Sequence, residues 1–127
     1  MSSIVDADAA TVHALEQVAL DYLEGWFDGD PVRMEQALHP ELVKRTLKMA
    51  DGVESLDTLT AASMIDATRA GVGRTRDPGD RRISVRVEHV HGNIASVTCL
   101  CAVYVDYLHL VRTRAGWRIT NVAWDFA

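Results

Sequence analysis

Apolar residues recur at three- and four-residue steps near the start of the chain. Val12, Leu15, Ala19, Tyr22, Leu23, Trp26 and Phe27 form one stripe, which predicts a helix over 7–28. Asp6 or Asp8 can cap its start, and Gly29 stands where a C-terminal glycine belongs. Asp30-Pro31 opens a short helix over 31–38, which Pro40 ends by restricting His39 to extended backbone. Residues 41–49 alternate as a strand, Asp51-Gly52 is a tight-turn signal, and a short return strand follows near 53–56. Residues 57–71 read as a helix with Leu59, Ala62, Met64, Ile65 and Ala67 on one side and Gly71 at its end. The polar stretch 73–81 is a loop, and it carries Arg74, Arg76 and Arg81 between Arg69 and Arg82. That arginine cluster reads as solvated surface.

From 82 onward the pattern is β. Ile83, Val85, Val87 and His89 alternate with polar neighbours, His91-Gly92-Asn93 turns, 94–105 and 107–114 are apolar and β-favouring, Arg114-Ala115-Gly116 turns again, and Trp117–Phe126 is the last strand. A two-residue turn at Gly92-Asn93 sets His89 opposite Ser96 and Val87 opposite Thr98. A shift by one, through a three-residue loop or a bulge, sets Val87 opposite Cys99, Val85 opposite Cys101 and Ile83 opposite Val103, and matching apolar to apolar favours that shift. The chain is expected to bend near Tyr104–Asp106 rather than run through as one strand. Over 94–111, Val97, Cys99, Cys101 and Val103 are assigned to one face and Leu100, Ala102, Leu108 and Leu110 to the other. A sheet apolar on both faces needs two covers, so a homodimer through the outer sheet face is expected.

Composition narrows the class. The 127 residues suit a single domain, 48% of them apolar and 24% charged. A net charge of −5 argues against a nucleic-acid partner. No apolar run is long enough to span a bilayer, and Met1-Ser2-Ser3-Ile4-Val5-Asp6 lacks signal-peptide features, so no membrane and a cytoplasmic location are expected. Cys99 and Cys101 share one strand face about 7 Å apart, at or beyond disulfide reach, and read as small apolar residues of a reducing compartment. No phosphate loop, dinucleotide-binding glycine pattern or serine elbow occurs, and no cofactor is implied.

Four stretches carry a resemblance: Tyr22-Leu23-Glu24-Gly25-Trp26 with Gly29-Asp30, Leu38-His39-Pro40, Asp106-Tyr107-Leu108-His109-Leu110, and Gly116-Trp117-Arg118-Ile119-Thr120-Asn121. In this order they resemble the nuclear-transport-factor-2-like superfamily over about 9–126. Within it the chain is most similar to the putative lumazine-binding group, close to SnoaL-like polyketide cyclases. The resemblance implies an α+β cone, a strongly curved antiparallel sheet wrapped around three helices with a pocket at its open end. It also implies dimerisation through the outer sheet face. The ending Ala123-Trp124-Asp125-Phe126 departs from the basic and aliphatic residues usual there.

Asp106 is the first candidate for chemistry, because a carboxylate inside an apolar run is costly unless paired, and desolvation raises its pKa toward general-base values. Relatives of this fold use such a carboxylate with tyrosine or histidine partners. A three-residue loop at 114–116 sets His109 opposite Asn121, whereas a two-residue turn at Ala115-Gly116 sets Asp106 opposite Asp125 as a coupled pair. His39 lies near the pocket in the fold the chain resembles. Tyr22 and Trp26 stack one turn apart as an aromatic wall, with Met64 and Trp124 as further lining and Tyr22 or Tyr107 as a hydrogen-bond donor. His89-x-His91 has a spacing some metal sites use but no third ligand, so no metal is assigned.

The leading expectation is a homodimeric domain binding a small apolar or aromatic ligand. The alternative is an isomerase, dehydratase or cyclase moving a proton next to a carbonyl with Asp106 and either His39 or His109. A third reading is a non-catalytic assembly module. A cavity holding Asp106 and a histidine favours the enzyme, a roomy apolar cavity without an ionisable pair favours binding, and a filled one favours assembly.

Overall fold

A computed structural model describes residues 7–74 and 80–127. Helix α1 runs Ala9–Asp28, α2 Pro31–Ala37, strand β1 Leu38–Ala50, β2 Val53–Thr60, helix α3 Ala61–Arg69, and strands β3 Ser84–His91, β4 Ile94–Leu100, β5 Tyr104–Thr113 and β6 Gly116–Phe126. The strands form one curved, unclosed sheet in the order β2-β1-β6-β5-β4-β3, and its inner face shares a core with the three helices. The fold is the α+β class the sequence implies. One pair, β1 with β6, is parallel and the rest are antiparallel.

Local signals set the helix ends. The Asp8 carboxylate accepts from Thr11 N–H at α1, Gly29 closes that helix at φ 65°, and Asp30 caps α2 ahead of Pro31. The turn Asp51-Gly52 has both residues at positive φ, as a two-residue hairpin of this hand requires. Residues 1–6, with the alternative cap Asp6, and 75–79, with Arg76 and most of the expected loop, lie outside the described residues. Arg69, Arg81 and Arg82 each pair with an aspartate, Asp66, Asp28 and Asp80.

Three boundaries differ from expectation. β1 starts at Leu38, because Pro40 falls in the irregular stretch between the Leu38 and Val43 pairings, where no ladder N–H is needed. Residues 57–60 are extended rather than helical. Thr58 and Thr60 pair across to Arg45 and Val43, and Thr60 then caps α3 in a reciprocal bond with Ser63. The bend after β4 occupies residues 101–103, earlier than expected, held by Cys101 N–H donating to Tyr104 O at 3.0 Å.

That bend changes which residues share a face. Leu100 pairs with Val105, Cys99 with Asp106, Val97 with Leu108 and Ala95 with Leu110. Leu108 and Leu110 therefore join Val97 and Cys99 inside, all nearly solvent-free, while Leu100 is 42% exposed outside. The expected partition into two apolar faces is corrected. The inner face is apolar, whereas the outer one mixes exposed Ile94, Leu100 and Tyr107 with Ser96 and His109. The β3–β4 register is also corrected. The tip has the two-residue turn with His89 opposite Ser96, and a bulge at Glu88 then sets Val87 opposite Val97 and Val85 opposite Cys99. Apolar still meets apolar, and of the two expected routes, a longer loop or a bulge, the chain takes the bulge. In β5–β6 the turn holds Arg114-Ala115 and a bulge at Thr120 restores His109 opposite Asn121, while Asp106 faces Trp124 and not Asp125.

Candidate functional site

Inward-facing positions of three adjacent strands meet one face of α1. Leu42 and Lys44 point inward from β1, Trp124 from β6 and Asp106 from β5 directly opposite it, with Tyr22 of α1 above them. The Tyr22 hydroxyl donates to Asp106 Oδ2 at 2.7 Å and accepts from Lys44 Nζ at 2.5 Å. Lys44 Nζ stands 3.7 Å from Asp106 Oδ2 and 5.1 Å from the centroids of both the Tyr22 and Trp124 rings. An ionised carboxylate and an ammonium thus enter the core as one hydrogen-bonded, charge-neutral chain, the condition under which such groups are tolerated.

The Lys44 end of this chain borders a cavity of about 440 Å³. Trp26 of α1, Leu59 of β2, Met64 and Ala67 of α3, and Tyr104, Trp124 and Phe126 of β5–β6 line it, and Lys48 and Asp57 add polar atoms. Trp26 is fixed by donating Nε1–H to the Tyr104 hydroxyl at 3.1 Å. Trp124 meets Tyr104 and Phe126 edge-on, at 5.7 and 5.1 Å between centroids. Its Nε1 is buried without a hydrogen-bond partner, alone in this among the described side chains. The site can hold a flat apolar body between aromatic walls and offer the remaining Lys44 N–H donors to an acceptor atom.

Burial holds the Lys44 ammonium below its ordinary pKa, with Asp106 acting against that shift. Burial, then the Asp106 charge and hydrogen bond, lift the Tyr22 phenol well above 10. These shifts have opposite signs in the alkaline range. Lys44 sheds its proton earlier in the folded state than in the unfolded chain, so its contribution rises with pH up to about 10.5. Tyr22 keeps its proton longer when folded, so its contribution is complete below about pH 10 and is lost as the pH rises beyond that. Absorbance titration at 295 nm is expected to show tyrosine ionisation that appears only on unfolding, and Tyr22→Phe to reduce it by one residue's worth. A wild-type curve in which every tyrosine ionises before unfolding would contradict the buried hydrogen bond.

Of the residues singled out in the sequence, Tyr22, Trp26, Met64, Trp124 and Asp106 come together here. His109, Tyr107 and Asn121 lie on the outer face, where Asn121 Nδ2 and His109 Nδ1 are 3.2 Å apart, because Asp106 and His109 have opposite parity along β5. His39 accepts Glu41 N–H on Nδ1 at 3.0 Å and fixes the start of β1. His89, His91 and His109 border a second depression of about 450 Å³ on the outer face. Among the described residues no group of three or more His, Cys, Asp or Glu side chains is placed to hold a metal. The sequence reading missed Lys44. Its signal was parity: Lys44 is two residues beyond Leu42 on one strand and must share Leu42's inward face.

A family model described as putative lumazine-binding matches residues 10–125. Among solved structures, an NTF-2-like protein of unknown function from Silicibacter pomeroyi superposes with TM-score 0.71 at 14% identity, covering 94% of this chain and 98% of that one. A cystatin-like fold protein from Burkholderia xenovorans gives 0.64 at 14% identity, covering 94% and 93%. A ketosteroid isomerase-like protein from Erwinia carotovora atroseptica gives 0.64 at 11% identity, covering 94% and 98%. At these identities the likeness is one of fold. No curated protein matches.

Proposed function

The chain belongs to the putative lumazine-binding family, and from that premise we propose that it binds a small flat aromatic molecule in the inner cavity, with an acceptor oxygen at Lys44. The observation that carries this is the junction of aromatic walls with a single buried amine in about 440 Å³. The family description supplies lumazine as the first compound to try, a two-ring heterocycle with carbonyl oxygens. Trp26 and Trp124 line the cavity, so lumazine and 2-naphthol are expected to quench tryptophan fluorescence saturably. Ala67→Trp, which fills the cavity from α3, should weaken binding by about ten-fold or more, roughly 1.4 kcal/mol. Failure of both compounds to quench, or equal affinity in the variant, would overturn the assignment.

The proton-transfer alternative keeps Asp106 and Tyr22 but not its histidine, since His39 and His109 lie elsewhere. Assembly as a homodimer through the outer sheet face is supported by exposed Ile94, Leu100 and Tyr107 there. Light scattering that gives a monomer mass at tens of micromolar would refute it. A cytoplasmic location is supported by Cys99 and Cys101, both buried and unpaired. Finding the protein in the secreted fraction of its own cells would overturn it.

A further inference from the structure

We propose that Lys44 is a nucleophilic amine that condenses reversibly with an aromatic aldehyde or ketone held in the cavity, with Tyr22 relaying protons between it and Asp106. This rests on the cavity reading above and adds a covalent step to it.

Five observations meet at Lys44. The chain has only two lysines against eleven arginines, and both lysines line this one cavity. The other ion pairs among the described residues use arginine, which never gives up its proton, whereas lysine can become a nucleophile. The Lys44 side chain is only 11% exposed and flanked by the Tyr22 and Trp124 rings, so water competes poorly for the amine. Burial already disfavours its charged form. Finally, Tyr22 accepts from Lys44 and donates to Asp106, a continuous path by which the ammonium proton reaches the carboxylate and leaves a neutral amine beside a neutral acid.

The chemistry balances without a co-reactant. The Lys44 lone pair forms a C–N bond as the carbonyl π bond breaks. The carbonyl oxygen takes the Tyr22 proton, and Asp106 returns one to Tyr22. The carbinolamine then loses a nitrogen proton and its hydroxyl as one water. What remains is an iminium cation next to the Asp106 carboxylate, and hydrolysis runs the same path backwards.

The test is reductive trapping. The full chain is incubated with 2-naphthaldehyde and sodium cyanoborohydride, and the alkylated residue is located by mass spectrometry after chymotryptic digestion. Labelling of Lys44 is expected to run about ten-fold or more faster than that of exposed Lys48, because the bound carbonyl is held against the Lys44 amine. Excess 2-naphthol should block it. Lys44→Arg, which keeps the cation, should melt cooperatively and take no adduct at that position, and Asp106→Asn should slow trapping. Saturable quenching by 2-naphthol with no adduct on Lys44, or with equal rates at both lysines, would overturn the covalent step and leave the cavity reading intact. Absence of quenching would overturn the cavity reading itself.

Discussion

Asp106→Ala is expected to lower the unfolding free energy by about 3–5 kcal/mol, the range for removing one partner of a buried ion pair. Asp106 is 2% exposed and Lys44 9% exposed, so neither group is rescued by water. Without the carboxylate, the Tyr22 hydroxyl loses its acceptor and the Lys44 charge its counter-ion. Lys44→Met should cost less, because Asp106 keeps the Tyr22 hydroxyl as its hydrogen-bond donor. The double replacement Asp106→Leu, Lys44→Met removes both charges from the core and is expected to recover most of the loss. Urea unfolding of the wild type, Asp106→Leu, Lys44→Met and their double replacement, which together close one cycle, measures the coupling. If Asp106→Ala cost under about 1 kcal/mol, the pair would be behaving as a solvated surface pair, and the site as described would fail.

The second large effect separates two leucines eight residues apart. Leu108→Ala should cost about 2–5 kcal/mol, since Leu108 is completely buried among Val97 and Val122 on the inner face. Leu100→Ala should cost well under half of that, because Leu100 stands outside. Comparable losses at both positions would mean that the strands run through 101–103 without the reversal of parity seen here.

That comparison also marks how far the sequence could be read. Period-3.6 and period-2 patterns, Gly29, Pro31 and Asp51-Gly52 are local, and they fix the helices and hairpin tips as expected. The bend at 101–103 has no turn residue to announce it, because it is held by a backbone bond and the Cys101 sulfur accepting from Tyr104 N–H. A three-residue bend resets parity, and so Leu100, Leu108 and Leu110 were assigned together although one of them lies outside. The bulges at Glu88 and Thr120 are likewise silent in composition, and only apolar matching hints that one must exist. At the site, Tyr22, Trp26, Met64, Trp124 and Asp106 were legible as types out of place or in stripes. Lys44 escapes notice because lysine on a strand usually marks a wet face, and only its parity with Leu42 tells against that.

A crystal structure of the protein with 2-naphthol or lumazine decides whether the inner cavity takes a flat ligand with its oxygen on Lys44. The ring system is expected between Trp26, Met64 and Trp124, with a ligand oxygen within hydrogen-bond distance of Lys44 Nζ. A ligand seated only in the outer depression beside His89, His91 and His109, with the inner cavity collapsed around Trp124, would contradict it.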